Sequence, residues 1–327
     1  MILVTYRCPA DGQVAVGAVN RENGLVLNLQ HASRLRDNSG PTGFESMLDL
    51  IEGGERTLDK AREIAAQAKW EGAAVHRLAD LKLLSPVPVP PQIRDFSVTE
   101  QHMRQAIVAI AKLRAKRTGV PAPMGNSIAV SDVVYKQPIY YKGNRFSVVG
   151  HDEDVKWPRY SAMLDYELEF GIFLAARGKN IPASEAHRYI FGYTIFNDFS
   201  ARDAQEIEMA GALGPAKGKD FDTGNAIGPW IVTRDEIKDA HALTMVARVN
   251  GEEWSRNNSR CMLHTFEDMI AHVSRDETLY PGEFFGSGTA GNGCGLEMDR
   301  WLKPGDVVEL EVEGIGMLRN RVVLPSA

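Results

Sequence analysis

Between residues 85 and 92 the chain reads SPVPVPPQ, and its four prolines, Pro86, Pro88, Pro90 and Pro91, constrain everything on either side. Each proline locks φ and lacks an N–H, and each pushes the residue before it into extended backbone. No helix and no central strand can run through such a stretch. The sequence therefore divides into a small N-terminal part, residues 1–85, a linker, 86–91, and a larger part, 92–327.

The small part begins with three short apolar runs, ILVTY, VAVGAV and LVLNL, separated by the turn-like PADGQ and NRENG. Alternation broken by turn residues predicts an antiparallel meander. FESMLDLIEGG and LDKAREIAAQAKW follow, with apolar residues at helical spacing and Gly53 and Gly54 separating two helices. After the linker, residues 99–117 read as a helix. Beyond about residue 128 short strands dominate: SVVG, YELEFGIFLA, YTIFND, PWIVT, LTMVARVNG and DVVELEVEG. The expected class is α+β and β-rich, with antiparallel or mixed pairing rather than a doubly wound parallel sheet.

Several functions are excluded at this stage. There is no GxGxxG after a strand and no GxxxxGK[ST], so the usual nucleotide cradles are missing. A formal net charge of −6 disfavours nucleic-acid binding, which calls for a basic face. The basic stretch Lys112 to Arg117 reads as a solvated helix face. No apolar run approaches the roughly 18 residues of a membrane span, and the start MILVTYRCPADG lacks a leader pattern, so a cytoplasmic location is expected. Cys8, Cys261 and Cys294 are too few and too scattered for a disulfide framework or a CxxC zinc site and read as reduced thiols.

The chemistry-bearing residues are concentrated after the linker. In DYELEFGIF, residues 165–173, Glu167 and Glu169 stand two apart and project from one strand face, opposite Leu168 and Phe170. Paired carboxylates repel unless a cation neutralises them, and a hard divalent ion does so; a plain exposed strand face has the same pattern. GYTIFNDFSARDAQ, residues 192–205, is an apolar strand ending in Asp198, Ser200, Arg202 and Gln205. Asp198 is a third candidate ligand, or else it or Ser200 caps a following helix. Arg202 and Gln205 suit an anionic substrate. IRDFSVTEQH contributes Asp95 and His102, the latter either a reactive group or a surface residue at a helix start. Lys219 and Thr289 lie in Gly-rich stretches, LGPAKGKDFDTGN and GSGTAGNGCG, which either approach a ligand or merely turn the chain.

Together DYELEF, GYTIFNDFSARDAQ, LGPAKGKDF and GSGTAGNGCGLE, in that order, resemble the fumarylacetoacetate hydrolase superfamily, from about Asp95 to the C-terminus. The resemblance implies a mixed β-roll/β-sandwich catalytic domain preceded by a small α+β domain. It implies metal ligands at Asp95, Glu167, Glu169 and Asp198, with Mg²⁺ the first expectation and Mn²⁺ or Ca²⁺ compatible. It also implies a catalytic His102 oriented by Glu297, with Lys219 assisting, and a substrate pocket at Arg202, Gln205, Tyr141 and Thr289. Two features depart from the pattern: Ser97 stands where the animal enzymes carry an aromatic residue, and residues 103–137 match no assigned subgroup.

The activity implied is metal-dependent hydrolysis of a carbon–carbon bond in a 1,3-dicarbonyl oxo-acid such as an acylpyruvate, with His102 activating water. Its partner would be a small anionic oxo-acid, with neither nucleic acid nor membrane involved, and the assembly a homodimer. Decarboxylation or keto–enol isomerisation of an oxo-diacid at the same residues is the alternative. A metal-binding protein without turnover is a third reading, but a structural site would need only the carboxylates and not His102, Lys219, Arg202 and Gln205 as well.

Overall fold

The proline-rich stretch does not end one sheet and begin another. The computed structural model describes residues 1–9, 11–36, 42–122 and 129–325. The expected meander forms as β1 (Ile2–Arg7), β2 (Val14–Asn20) and β3 (Leu25–Asn28), extended by β4 (Val75–Arg77). Three helices follow β3: α1 (Leu29–Arg36), α2 (Met47–Glu52) and α3 (Gly54–Gln67). Ser46 starts α2, its hydroxyl accepting from the N–H of Asp49, and Gly54, with φ at +61°, takes the left-handed turn that separates α2 from α3.

Beyond the linker come β5 (Ile93–Phe96), α4 (Glu100–Thr118), β6 (Tyr140–Gly143), β7 (Leu168–Leu174) and β8 (Ile190–Asp198). After these lie α5 (Arg202–Met209), β9 (Asn225–Thr233), β10 (Thr244–Val249) and β11 (Glu252–Asn258). The chain ends with β12 (Phe284–Gly286), α6 (Gly295–Met298), β13 (Val307–Val312) and β14 (Gly316–Val323). The main sheet runs β4-β3-β2-β1-β9-β8-β7-β12-β5-β6, so the N-terminal strands and the later ones form one continuous surface through the antiparallel pair Leu3↔Ile231. A second sheet contains β11-β10-β13-β14. Pairing is mixed: β12 and β5 run parallel, while β7 and β8 run antiparallel. The architecture is β-rich with mixed pairing, as expected.

Every residue of β7 and β8 is buried, because the main sheet is covered on both faces. Leu168, Phe170, Ile172 and Leu174 join a core with Ala247, Leu310 and Leu318 of the second sheet. Phe173, Phe196, Ile227 and Phe284 join a different core with Leu3, Leu50, Leu58 and Ile64 of the N-terminal part. The period of two therefore places Glu167, Glu169 and Phe173 on one face of the strand and the four residues between and beyond them on the other. Two carboxylates on a doubly covered strand cannot be a solvated face.

Candidate functional site

Three strand segments converge and each delivers one carboxylate: Asp95 from β5, Glu169 from β7 and Asp198 from the last position of β8. A ligand oxygen of each lies within 4.8 Å of the others, and all three residues are buried. Register holds them there, with Asp95 opposite Gly286 on one side and Tyr141 on the other. A side chain at Gly286 would run into Asp95 Oδ1, so glycine is required at that position.

The hydrogen bonding shows what this trio lacks. Thr289 Oγ1 donates to Glu169 Oε1 at 3.1 Å, while Tyr141 OH and Lys219 Nζ both donate to Asp198 Oδ2 at 2.5 Å. Asp95 Oδ1, Glu169 Oε2 and Asp198 Oδ1 are buried without a hydrogen-bond partner. Burial and mutual repulsion push the carboxyls of Asp95 and Glu169 well above the usual range, and raise Asp198 to about 6 against the pull of Lys219. Buried acceptors without donors are costly, and a hard divalent cation satisfies all three at once. The donor set fits such an ion.

Beside the trio lies a chain of buried ion pairs. Lys219 Nζ contacts Glu167 Oε2 at 2.6 Å, Asp198 Oδ2 at 2.5 Å and Ser200 Oγ at 2.7 Å. Arg202 Nη2 meets Glu167 Oε1 and Asp165 Oδ2 at 2.8 Å, and its Nη1 donates to Gln205 Oε1 at 2.9 Å. Burial alone would raise Glu167, but Lys219 and Arg202 outweigh it and hold this carboxyl below the usual range. Burial would likewise lower Lys219, yet Asp198 and Glu167 keep it protonated and above its usual range. Glu167, implied as a fourth ligand, has Oε1 on Arg202 and Oε2 on Lys219, with lone pairs left on both oxygens.

His102 stands in the first turn of α4, its Nδ1 3.3 Å from Glu297 Oε1, close but not aligned as a hydrogen bond. Glu297 is fixed by the N–H groups of Asn292 at 3.2 Å and Cys294 at 3.1 Å, the latter part of the cap of α6. Gln105, on the next turn of α4, donates to Asn292 Oδ1 at 2.6 Å and ties the helix to the same loop.

A cavity of about 450 Å³ opens onto Asp95, His102, Tyr141, Glu167, Arg202, Gln205, Lys219 and Thr289. Glu169, Asp198 and Glu297 lie directly behind that wall through Thr289, Lys219 and His102. The sequence-predicted residues therefore meet in one place. The Gly-rich stretch around Thr289 is more than a turn: Ala290 N–H donates to Leu168 O and Leu168 N–H to Gly293 O, so the loop is laced to the backbone flanking Glu169. Neither Asp198 nor Ser200 caps α5; Ala201 holds the cap position, and both side chains serve Lys219 instead.

Asp165 is a residue beside the site that the sequence reading did not single out. It receives Arg202 and the N–H groups of Gly295 at 2.7 Å and Leu296 at 3.0 Å, linking the ion-pair chain to the loop that carries Glu297. Its signal was present, since Asp165, Glu167 and Glu169 follow one another at intervals of two. The basic residues of the stretch Lys112 to Arg117 are exposed, as read, and two of them, Arg114 and Arg117, also hold the buried Glu206 of α5 at 2.8 and 2.7 Å.

Comparison with known proteins gives a consistent set. The family described as fumarylacetoacetate (FAA) hydrolase, C-terminal, matches residues 116–323. The mitochondrial oxaloacetate tautomerase Fahd2a of Rattus norvegicus is 38% identical, covering 99% of this chain and 92% of its own length. The corresponding FAHD2A protein of Homo sapiens is 32% identical with the same coverage. Among solved structures, maleylpyruvate hydrolase from Sphingobium sp. SYK-6, described as a complex with manganese(II) and pyruvate, is 22% identical. It superposes with a TM-score of 0.71 and covers 100% of both chains, a likeness of fold.

Proposed function

The chain belongs to the fumarylacetoacetate hydrolase family, and from that premise we propose that it is a divalent-metal-dependent enzyme hydrolysing a carbon–carbon bond in an acylpyruvate-type oxo-acid. One observation carries the hydrolytic part: His102, with Glu297 3.3 Å behind it, lines the same cavity as Asp95, next to a carboxylate trio in which each member has one oxygen without a partner. Held by Asp95, Glu169 and Asp198, the ion, with Mg²⁺ first and Mn²⁺ or Ca²⁺ compatible, would supply Lewis acidity to the substrate oxygens.

The residues of the chain do the rest. His102 Nε2 takes a proton from water, and Glu297 steadies the imidazolium at Nδ1. The water oxygen bonds to the acyl carbon, and the bond from that carbon to the methylene breaks. The electron pair stays on the methylene as the pyruvate enolate, whose charge faces Lys219. Protonation of that carbon completes the balance: R–CO–CH₂–CO–COO⁻ and water give R–COO⁻, pyruvate and H⁺. Tyr141 and Gln205 line the pocket where the oxo-acid end would sit.

A second reading, keto–enol tautomerisation of a small oxo-diacid, is favoured by the names of the rat and human relatives. It needs proton transfer but no attacking water. The deciding experiment supplies the metal-loaded protein separately with an acylpyruvate and with oxaloacetate, following release of pyruvate in the first and enol absorbance in the second. Pyruvate release with stoichiometric carboxylic acid supports hydrolysis. Accelerated tautomerisation without any cleavage replaces it with the second reading, and no turnover of either leaves a metal-binding protein.

A further inference from the structure

Beyond its polar floor the cavity changes character along α4. Met103, Ala106, Ile107 and Ile110 follow His102 at positions i, i+3, i+4 and i+7, a single helix face, and all line the cavity. From Met103 to Ile110 the stripe spans about 10 Å at the usual helical rise. Val130 and Val134 stand across from it, packed with Met103 into a small apolar cluster. On the remaining side Met209 and Leu213 line the same space, and Leu213 is 98% exposed. Apolar side chains left facing water beside a catalytic floor are covered when a complementary ligand enters.

The charges lie elsewhere. Among the described lining residues the cations are Arg202, Lys219 and, when protonated, His102, and all three belong to the floor. Arg202 is committed to Asp165 and Glu167, and Lys219 to Glu167 and Asp198. A second carboxylate carried to the far end would lie among Ile107, Ile110, Val130 and Val134, with the Ser131 hydroxyl but no cation of the described lining beside it.

We infer that the substrate is an oxo-acid with one carboxylate and an apolar acyl tail, seated with its oxo-acid end at the floor and its tail along the Met103–Ile110 stripe. The inference rests on the hydrolytic reading for its reaction and on the cavity lining for its selectivity. Oxo-diacids are disfavoured substrates, and His102 is the junction between the two ends.

The test compares two acylpyruvates of equal length on the Mn²⁺-loaded protein, one ending in a methyl group and one in a carboxylate. The wild-type protein is expected to favour the methyl-ended compound by at least ~10-fold in kcat/KM. Ile110→Lys, which places a cation at the far end, should move that ratio at least ~10-fold towards the dicarboxylate. Equal or better turnover of the dicarboxylate by the wild type overturns the inference and leaves the hydrolytic reading standing. If neither acylpyruvate is cleaved, the hydrolytic reading fails, and calorimetric binding of 2-oxooctanoate against its dicarboxylate counterpart decides the tail separately. Tighter binding of 2-oxooctanoate upholds it; equal or weaker binding removes it. The wild-type ratio requires no variant to fold.

Discussion

Arg94 and Asp95 are neighbours on β5, both buried, both charged when ionised, and treated in opposite ways by the fold. Arg94 is 3% exposed, yet its guanidinium is gripped by Glu283 and, at 2.5 Å, by Glu277, and lies 5.5 Å from the Phe285 ring. Asp95 is 5% exposed and faces Glu169 and Asp198, with Oδ1 left without a donor. One face of the strand pairs its charge with carboxylates of the protein, although Arg94 Nε keeps no partner. The other leaves its charge open for something the chain does not itself provide, and buried charge of that kind marks a site rather than a scaffold.

The comparison can be broken in several ways. Chelation should have the largest effect: with EDTA in excess, turnover should fall to background and return on addition of Mg²⁺ or Mn²⁺. Glu169→Gln should lose metal affinity in a calorimetric titration while keeping shape. Full activity in EDTA would remove the ion from the mechanism. Next comes His102→Ala, expected to lower hydrolytic kcat by roughly 10²- to 10⁴-fold, the usual general acid–base contribution. Metal binding should be nearly unchanged, because the imidazole stands outside the carboxylate trio. Unaltered turnover would return His102 to the status of a residue at a helix start.

The two faces of β5 then separate by sign. Arg94→Met strands Glu283 in the interior and should cost about 3–5 kcal/mol in denaturant unfolding. Asp95→Asn in the metal-free protein removes repulsion from the trio and should leave stability unchanged or raise it by ~1 kcal/mol. Equal losses at both positions would show that Asp95 has a partner after all.

The smallest effect is the pH dependence of metal-free stability. Asp198 moves from 3.8 to about 6 on folding, so between those values the folded state holds a proton that the unfolded state has released. Stability from this group therefore falls as pH rises through that window and levels off above it. The difference in Tm between wild type and Asp198→Asn should follow that course and flatten when Mn²⁺ is present.

What the sequence made legible depended on spacing. The alternation around Glu167 and Glu169 and the polar strand end at Asp198 are local patterns, and each survives in three dimensions, whereas the roles of Asp95 and His102 came from the resemblance. Glu167 shows the limit: its spacing marks it as a partner of Glu169, but the cations that engage it, Arg202 and Lys219, arrive from tens of residues away. Asp165 was overlooked because its work depends on Arg202 and on the N–H groups of Gly295 and Leu296 across the chain. Arg114 and Arg117 form the solvated face that was read, but their hold on Glu206 was not legible because Glu206 lies on another helix. The stripe on α4 was visible as ordinary helical periodicity, and only the cavity reveals that one side of it faces a floor of carboxylates.

The pairing of β1 with β9 limits how the chain can be cut. Residues 1–85 look dispensable, a preface joined by a proline linker, but Ile2 and Leu3 cap the backbone groups around Ile231 and Val232. Trimming them would uncover an unpaired strand edge and bare Phe173, Phe196 and Phe284, the combination that invites edge-to-edge aggregation. A shortened version lacking the preface would fail as a folded reagent before its chemistry could be assayed, although every residue of the floor would still be encoded.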